Sequence, residues 1–301
     1  MKYNSFLLHH LSIYYMLLAC FYNSIAGTFA KILAMQIPAI EVVLFRNLLA
    51  LFIILYIMRK NRKIQAQPSR GGHPWMLATR GVIGILGLIV FFYNLTQLSL
   101  GEAFTFQKTA PIFIAVIAYF ALKEKLSKFG WFAVFLGFVG IVLVIQPHFG
   151  IHAGHIFGIL SGLFAAIALT AVRELRKYYS ANVIILSALL AGTLMPILFM
   201  AIAEFIEIPA LNFMISKFVM PDIKGWGIGA ILGICGLYYQ SYLTKAYAAT
   251  RKAGIVATLS YTDIIFSMIF GLALGDTLPN FTALCGIALI IAAGILIANR
   301  R

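Results

Sequence analysis

The chain has 301 residues, 62% of them hydrophobic and only 11% charged, and its mean hydropathy of +0.97 lies far outside the range of soluble globular proteins. A formal charge of +14 would suggest a nucleic-acid partner in a soluble domain, but the basic residues lie mostly in short loops between apolar segments. The excess therefore reads as membrane topology, with no nucleic acid implied. Cys20, Cys235 and Cys285 all lie inside apolar segments without paired spacing, which supports neither a disulfide framework nor a zinc site.

Ten apolar segments follow one another, at 13–30, 39–58, 75–97, 101–122, 128–146, 155–172, 182–203, 225–247, 252–274 and 281–299. Most approach the length of about 20 residues that a helix needs to cross a bilayer. The first run continues into Asn23, Ser24 and Thr28 without a small-x-small cleavage site, so it is read as an uncleaved span. Arg59, Lys60, Arg62, Lys63 and Arg70 follow span two, and Lys123, Lys125 and Lys128 follow span four. Arg173, Arg176 and Lys177 follow span six, Arg251 and Lys252 follow span eight, and Arg300 and Arg301 end the chain. Loops after spans three, five and nine carry no Lys or Arg, and the loop after span seven balances Lys217 and Lys224 against Glu204, Glu207 and Asp222. This asymmetry places both termini in the cytoplasm.

Span four is the unusual one. Its stretch LSLGEAFTFQKTAPIFIAVIAYF carries Lys108 and Pro111 well inside. A charge at that depth is normally paired or turned to a cavity, and a proline would leave the carbonyl of Gln107 without its helical partner. The result is a polar notch of the kind that forms transporter sites, or a plain kink whose lysine reaches a neighbouring helix. Glycines at 81, 84 and 87, at 158 and 162, and at 229, 233 and 236 read as close helix packing.

The chain also repeats itself. GIVLVIQP from Gly140 echoes GILIANRR from Gly294, and LKEKLS from Leu122 echoes LGDTLP from Leu274, so spans four and five correspond to nine and ten. A duplicated unit of five crossings must lie upside down relative to the first. The predicted architecture is therefore an all-α polytopic membrane protein of two inverted five-helix repeats, residues 1–147 and 148–301.

In these features the chain resembles the drug/metabolite transporter superfamily, in particular its EamA-type members. The resemblance rests on VVLFRNLLALF with Arg46, on LSLGEAFTFQKTAPIF, on the KEKLS turn, and on the second copies SYTDIIF and LGDTLP. It implies a secondary transporter of the inner (plasma) membrane, not an enzyme, that moves a small organic metabolite through a cavity lined largely by helices three, four, eight and nine. Three positions depart from the usual pattern: Lys123 stands where glycine is common, Asp276 replaces a glutamate, and Asp263 falls where the first copy has Pro111.

Since spans four and nine are equivalent, Lys108 and Asp263 are expected to approach each other, either as an ion pair or as two poles of a substrate site. In the second case Lys108 holds a carboxylate or phosphate, and Asp263 takes an amine or a coupling proton. The candidate lining adds Tyr93, Asn94 and Gln97 from span three, Gln107 from span four, Tyr238, Tyr239 and Gln240 from span eight, and Tyr261 and Thr262 from span nine. Tyrosines near segment ends also suit an interfacial belt. Arg46 reads as a second anion contact or as a partner for Glu41, while Lys31, Glu41 and Lys245 can snorkel to the headgroups. His148, His152 and His155 form a linker run with no carboxylate or cysteine beside them, so neither a metal nor a cofactor is expected. Export of an amino acid or similar charged metabolite fits best. Uptake of a nucleoside-like or vitamin-like compound and flipping of a lipid-linked carrier remain alternatives, and monomer and dimer fit equally.

Overall fold

The computed structural model describes residues 2–60, 72–121, 123, 126–146, 152–248 and 257–298. Outside them lie the loop charges Arg62, Lys63, Arg70, Lys125, Arg251, Lys252, Arg300 and Arg301, together with His148 and the expected repeat boundary at 147.

Every regular element among the described residues is helical: α1 (Lys2–Ala34), α2 (Ala39–Lys60), α3 (Pro74–Gln97), α4 (Leu100–Gln107), α5 (Ala110–Ala121), α6 (Lys128–Ile145), α7 (Ala153–Leu175), α8 (Ala181–Ala203), α9 (Ile223–Ala248), α10 (Thr262–Ala273) and α11 (Phe281–Ala298), with a 3₁₀ turn at Pro209–Leu211. Among the described residues, eight segments are long and apolar enough to cross a membrane, and α4 with α5 makes one of them. The remaining two crossings are α9, whose second half is rich in tyrosine and polar residues, and the shorter apolar segment 257–273. Phe52, Phe120, Phe135, Leu194 and Ile265 point outward, as lipid-facing side chains should.

Local sequence sets many of the helix ends. Ser99 and Glu102 form a reciprocal capping box at the start of α4. Ser127 accepts from Gly130 N at 3.1 Å to start α6, and Asn280 accepts from Ala283 N at 2.9 Å to start α11. His155, expected in a linker, instead lies in the first turn of α7, because the helix already begins at Ala153.

The helices pack as α1 along α9, α3 along α7, α6 along α11, and α2 along α8, with α10 against α1 and α4. One core cluster joins α1, α2, α3 and α4 to parts of α8 and α9. A second joins α5, α6, α7, α10 and α11. The end of the bundle where α1 finishes, called distal below, gathers the α1–α2, α3–α4, α8–α9 and α10–α11 connections, as the Lys31–Leu98, Lys31–Asp276 and Glu41–Val219 contacts require.

Candidate functional site

Span four does not merely kink but divides. Pro111 lacks the amide hydrogen that would continue the helix, so α4 stops at Gln107 and α5 begins at Ala110, with Lys108 as the C-cap between them. Thr109 donates both its amide, at 3.1 Å, and its hydroxyl, at 2.6 Å, to the Phe106 carbonyl. The Tyr261 hydroxyl donates to the Lys108 carbonyl at 3.4 Å. Gly162 of α7 lies against this bend, where a Cβ would stand 2.7 Å from the Phe106 oxygen.

Span nine divides too, without a proline. Residues 257–259 are helical, Ser260 and Tyr261 form a turn, and α10 starts at Thr262. Side chains receive its freed carbonyls: Cys20 Sγ lies 3.7 Å from both the Leu259 and Ser260 oxygens, and Thr262 donates to Leu259 at 2.8 Å.

Between these two breaks lies the ion pair. Lys108 Nζ stands 2.6 Å from Asp263 Oδ2, with side chains 16% and 1% exposed. Asn23 of α1 donates to the same oxygen at 3.0 Å, and Ser24 donates to the Asp263 carbonyl at 3.1 Å. Asp263 Oδ1 is buried and has no partner among the described residues. Each charge also suits its helix end, since the lysine caps the negative C-terminus of α4 and the aspartate sits in the positive first turn of α10.

Beside the pair, Tyr239 lies within electrostatic reach of Lys108, Asp263 and Arg46. Arg46 does not pair with Glu41. Its guanidinium lies 5.7 Å from the centre of the Phe92 ring, and its stem reaches toward Gly236. Glu41 is fully buried instead of snorkelling, and accepts from Val219 N at 3.0 Å. Five residues along a helix is about 500°, so the two side chains leave α2 on different faces. Arg46 thus has no carboxylate partner among the described residues.

Such an arrangement, charges held at paired helix breaks inside an apolar bundle, has the build of a transport site. Comparison with known proteins gives the family. The model of the EamA-like transporter family matches residues 10–146. An uncharacterized transporter of Helicobacter pylori (strain ATCC 700392 / 26695) is 35% identical over 282 residues, 93% of this chain and 91% of that one. The chain belongs to the EamA-like transporter family. It is therefore a multi-pass protein of the inner (plasma) membrane in a family of transporters. The pseudopaline exporter of Pseudomonas aeruginosa (strain UCBPP-PA14) is 28% identical over 94% of both chains, and human solute carrier family 35 member G1 is 26% identical over 97% of this chain and 80% of its own. One crystal structure superposes with a TM-score of 0.57 at 18% identity, covering 96% of this chain and 95% of its own, and it speaks for the fold alone.

Within this EamA-like transporter the other expected lining residues scatter. Gln107 is half-buried at the end of α4, and Tyr261 and Thr262 flank the second break. Tyr93 lies farther distal, with Phe213 and Phe157 at 4.8 and 5.3 Å between ring centres. Asn94 is buried, with both side-chain polar atoms unpartnered among the described residues. Gln97 is exposed and donates to Thr96. Tyr238 stacks on Tyr22 at 5.0 Å on the α1–α9 flank, and Gln240 is exposed. Lys245 is exposed in the last turn of α9, its Nζ 5.3 Å from the Tyr242 ring centre and 5.8 Å from that of Tyr15.

Lys31 is the clearest correction. Instead of reaching the headgroups it is 4% exposed, bonded to Asp276 Oδ1 at 2.6 Å and to the Leu98 carbonyl at 3.1 Å. Asn23, Ser24 and Cys20 were missed as site residues. Their one sequence signal was a cluster of small polar groups in the middle of the first span.

Proposed function

We propose that the protein exports a small carboxylate-bearing metabolite, an amino acid or similar zwitterion, by alternating access of two inverted five-helix repeats around Lys108, Asp263, Tyr239 and Arg46. The observation that carries this reading is the charge balance at the site. Lys108 is already neutralised by Asp263, whereas Arg46 meets no carboxylate among the described residues, so an anionic group on the ligand completes the set. Asp263 keeps one oxygen for an ammonium group or a coupling proton.

The helix packing supports the repeat reading. Under a two-fold that exchanges the halves, the α1–α9 contact becomes α3–α7, and α1–α10 becomes α5–α7, while α6–α11 and α2–α8 each map onto themselves. Lys/Arg asymmetry puts the distal end outside the cell. The direction follows the exporter among the relatives.

Thermal stabilisation of the full chain in detergent by amino acids, organic acids, nucleosides and vitamins tests the substrate class. A ligand at 100 times its dissociation constant adds about 2.7 kcal/mol. Amino or organic acids are expected to stabilise the parent, and Arg46→Gln to lose the shift while melting near the parent without ligand. An undiminished shift in Arg46→Gln, or hits confined to uncharged compounds, overturns the reading.

A further inference from the structure

The two aspartates of span nine hold both ends of α4. At one end Asp263, in the first turn of α10, binds Lys108 at the C-cap of α4. At the other, Asp276, just past the end of α10, accepts from Leu100 N at the start of α4 at 2.7 Å with one oxygen, and from Lys31 at 2.6 Å with the other. Lys31 also ties the Leu98 carbonyl, so the ends of α1, α3 and α10 and the start of α4 converge on one carboxylate. Between the two holds the half-helices touch directly, with Met268 packed on Gly101. An Asp276 N–H to Gly271 carbonyl bond of 2.9 Å fixes the carboxylate relative to α10. The residues around Asp276 leave a cavity of about 10 Å³, room for about one water.

We propose that Lys31 and Asp276 form the latch of the distal gate, and that α10 is the rod linking this latch to the central ion pair. A ligand that draws Lys108 away from Asp263, or a proton that neutralises Asp263, frees the inner end of the rod. The rod then tilts and pulls Asp276 from Leu100 N and Lys31, opening the path between α4 and α10. The sequence repeats the latch residues: with AGTFAK (26–31) laid on ALTAVR (168–173), Lys31 meets Arg173, and LKEKLS laid on LGDTLP sets Glu124 opposite Asp276. Side chains of these counterparts fall outside the described residues. This inference rests on the alternating-access reading but not on the substrate.

The test is accessibility and needs no ligand. With Cys20, Cys235 and Cys285 replaced by alanine, Ser267→Cys puts a thiol at a fully buried position of α10 between the two holds. The readout is the labelling rate by a membrane-impermeant maleimide added from the distal side of oriented vesicles. Slow labelling is expected with the latch intact, about tenfold faster labelling in Asp276→Asn and Lys31→Met, and a rate within about twofold of the parent in Asp276→Glu and Lys31→Arg, which keep the buried pair. Asp263→Asn should also accelerate labelling, though it lies at the far end of the rod. Unchanged rates in Asp276→Asn and Lys31→Met overturn the latch, as does equal acceleration in Gly140→Ala, which overpacks a remote contact. Unchanged rates in Asp263→Asn overturn the linkage. Failure of every ligand to stabilise the protein would sink the substrate reading and leave these rates untouched.

Discussion

Two helix pairs cross the core of this bundle, and they are joined in opposite ways. The α6–α11 seam is backbone against backbone: a Cβ on Gly140 would stand 2.7 Å from the Gly286 oxygen, and one on Gly286 would stand 2.6 Å from the Gly140 oxygen. At its distal end, Gln146 and Asn280 exchange reciprocal amide hydrogen bonds of 2.7 and 2.9 Å. The α4–α10 pair, by contrast, is held at its ends by carboxylates, with a flexible methionine between. Close apolar contact has one optimum and resists sliding, whereas an ion pair in a dry interior can be exchanged for a ligand or a proton. The seam is built to stay and the clamp to let go.

Variants should separate the two. The largest effect is expected at the clamp: Lys108→Met alone leaves Asp263 buried and unpaired, costing about 3–5 kcal/mol, while Lys108→Met with Asp263→Leu recovers most of that. Denaturation of the purified protein checks it, and a double variant as unstable as the single would remove the pair from the account. Next is Gly140→Ala, which overpacks the seam at a cost of about 1–3 kcal/mol, with distal labelling of Ser267→Cys unaltered. Asn280→Ala, which removes the amide pair and a cap, should lower stability by about 1–2 kcal/mol in the same assay. Smallest is Lys123→Gly. Lys123 has φ 55°, as Gly275 of the second turn motif has φ 93°, so glycine there should raise stability by about 1 kcal/mol. A drop in melting temperature would show that the left-handed backbone is not what limits this turn.

What could be read beforehand was what local chemistry announces. Lys108 and Pro111 stand out in an apolar run, and Asp263 stands at the equivalent place in the other half. The division of span nine was hidden, because no proline causes it. Its loose carbonyls are met by Cys20 from a helix more than 200 residues earlier, and no local pattern records that. Lys31 looked like an end-of-helix lysine for the same reason, with its carboxylate far along the chain at Asp276. The Arg46–Glu41 pairing was avoidable, since spacing by three or four, not five, brings helical side chains together. Tyr93, Gln97, Tyr238 and Gln240 are polar residues within spans, and polarity alone says nothing of the face they occupy.

The clamp has one further consequence, which is electrical. Lys31 with Asp276, and Lys108 with Asp263, are two lysines and two aspartates, so moving all four together carries no net charge through the bilayer. An unpaired charge crossing the full membrane would feel about 2.3 kcal/mol for every 100 mV. Movement of the clamp itself is thus almost indifferent to membrane potential, and voltage dependence of the proposed cycle measures Arg46 together with the charge of whatever sits beside it.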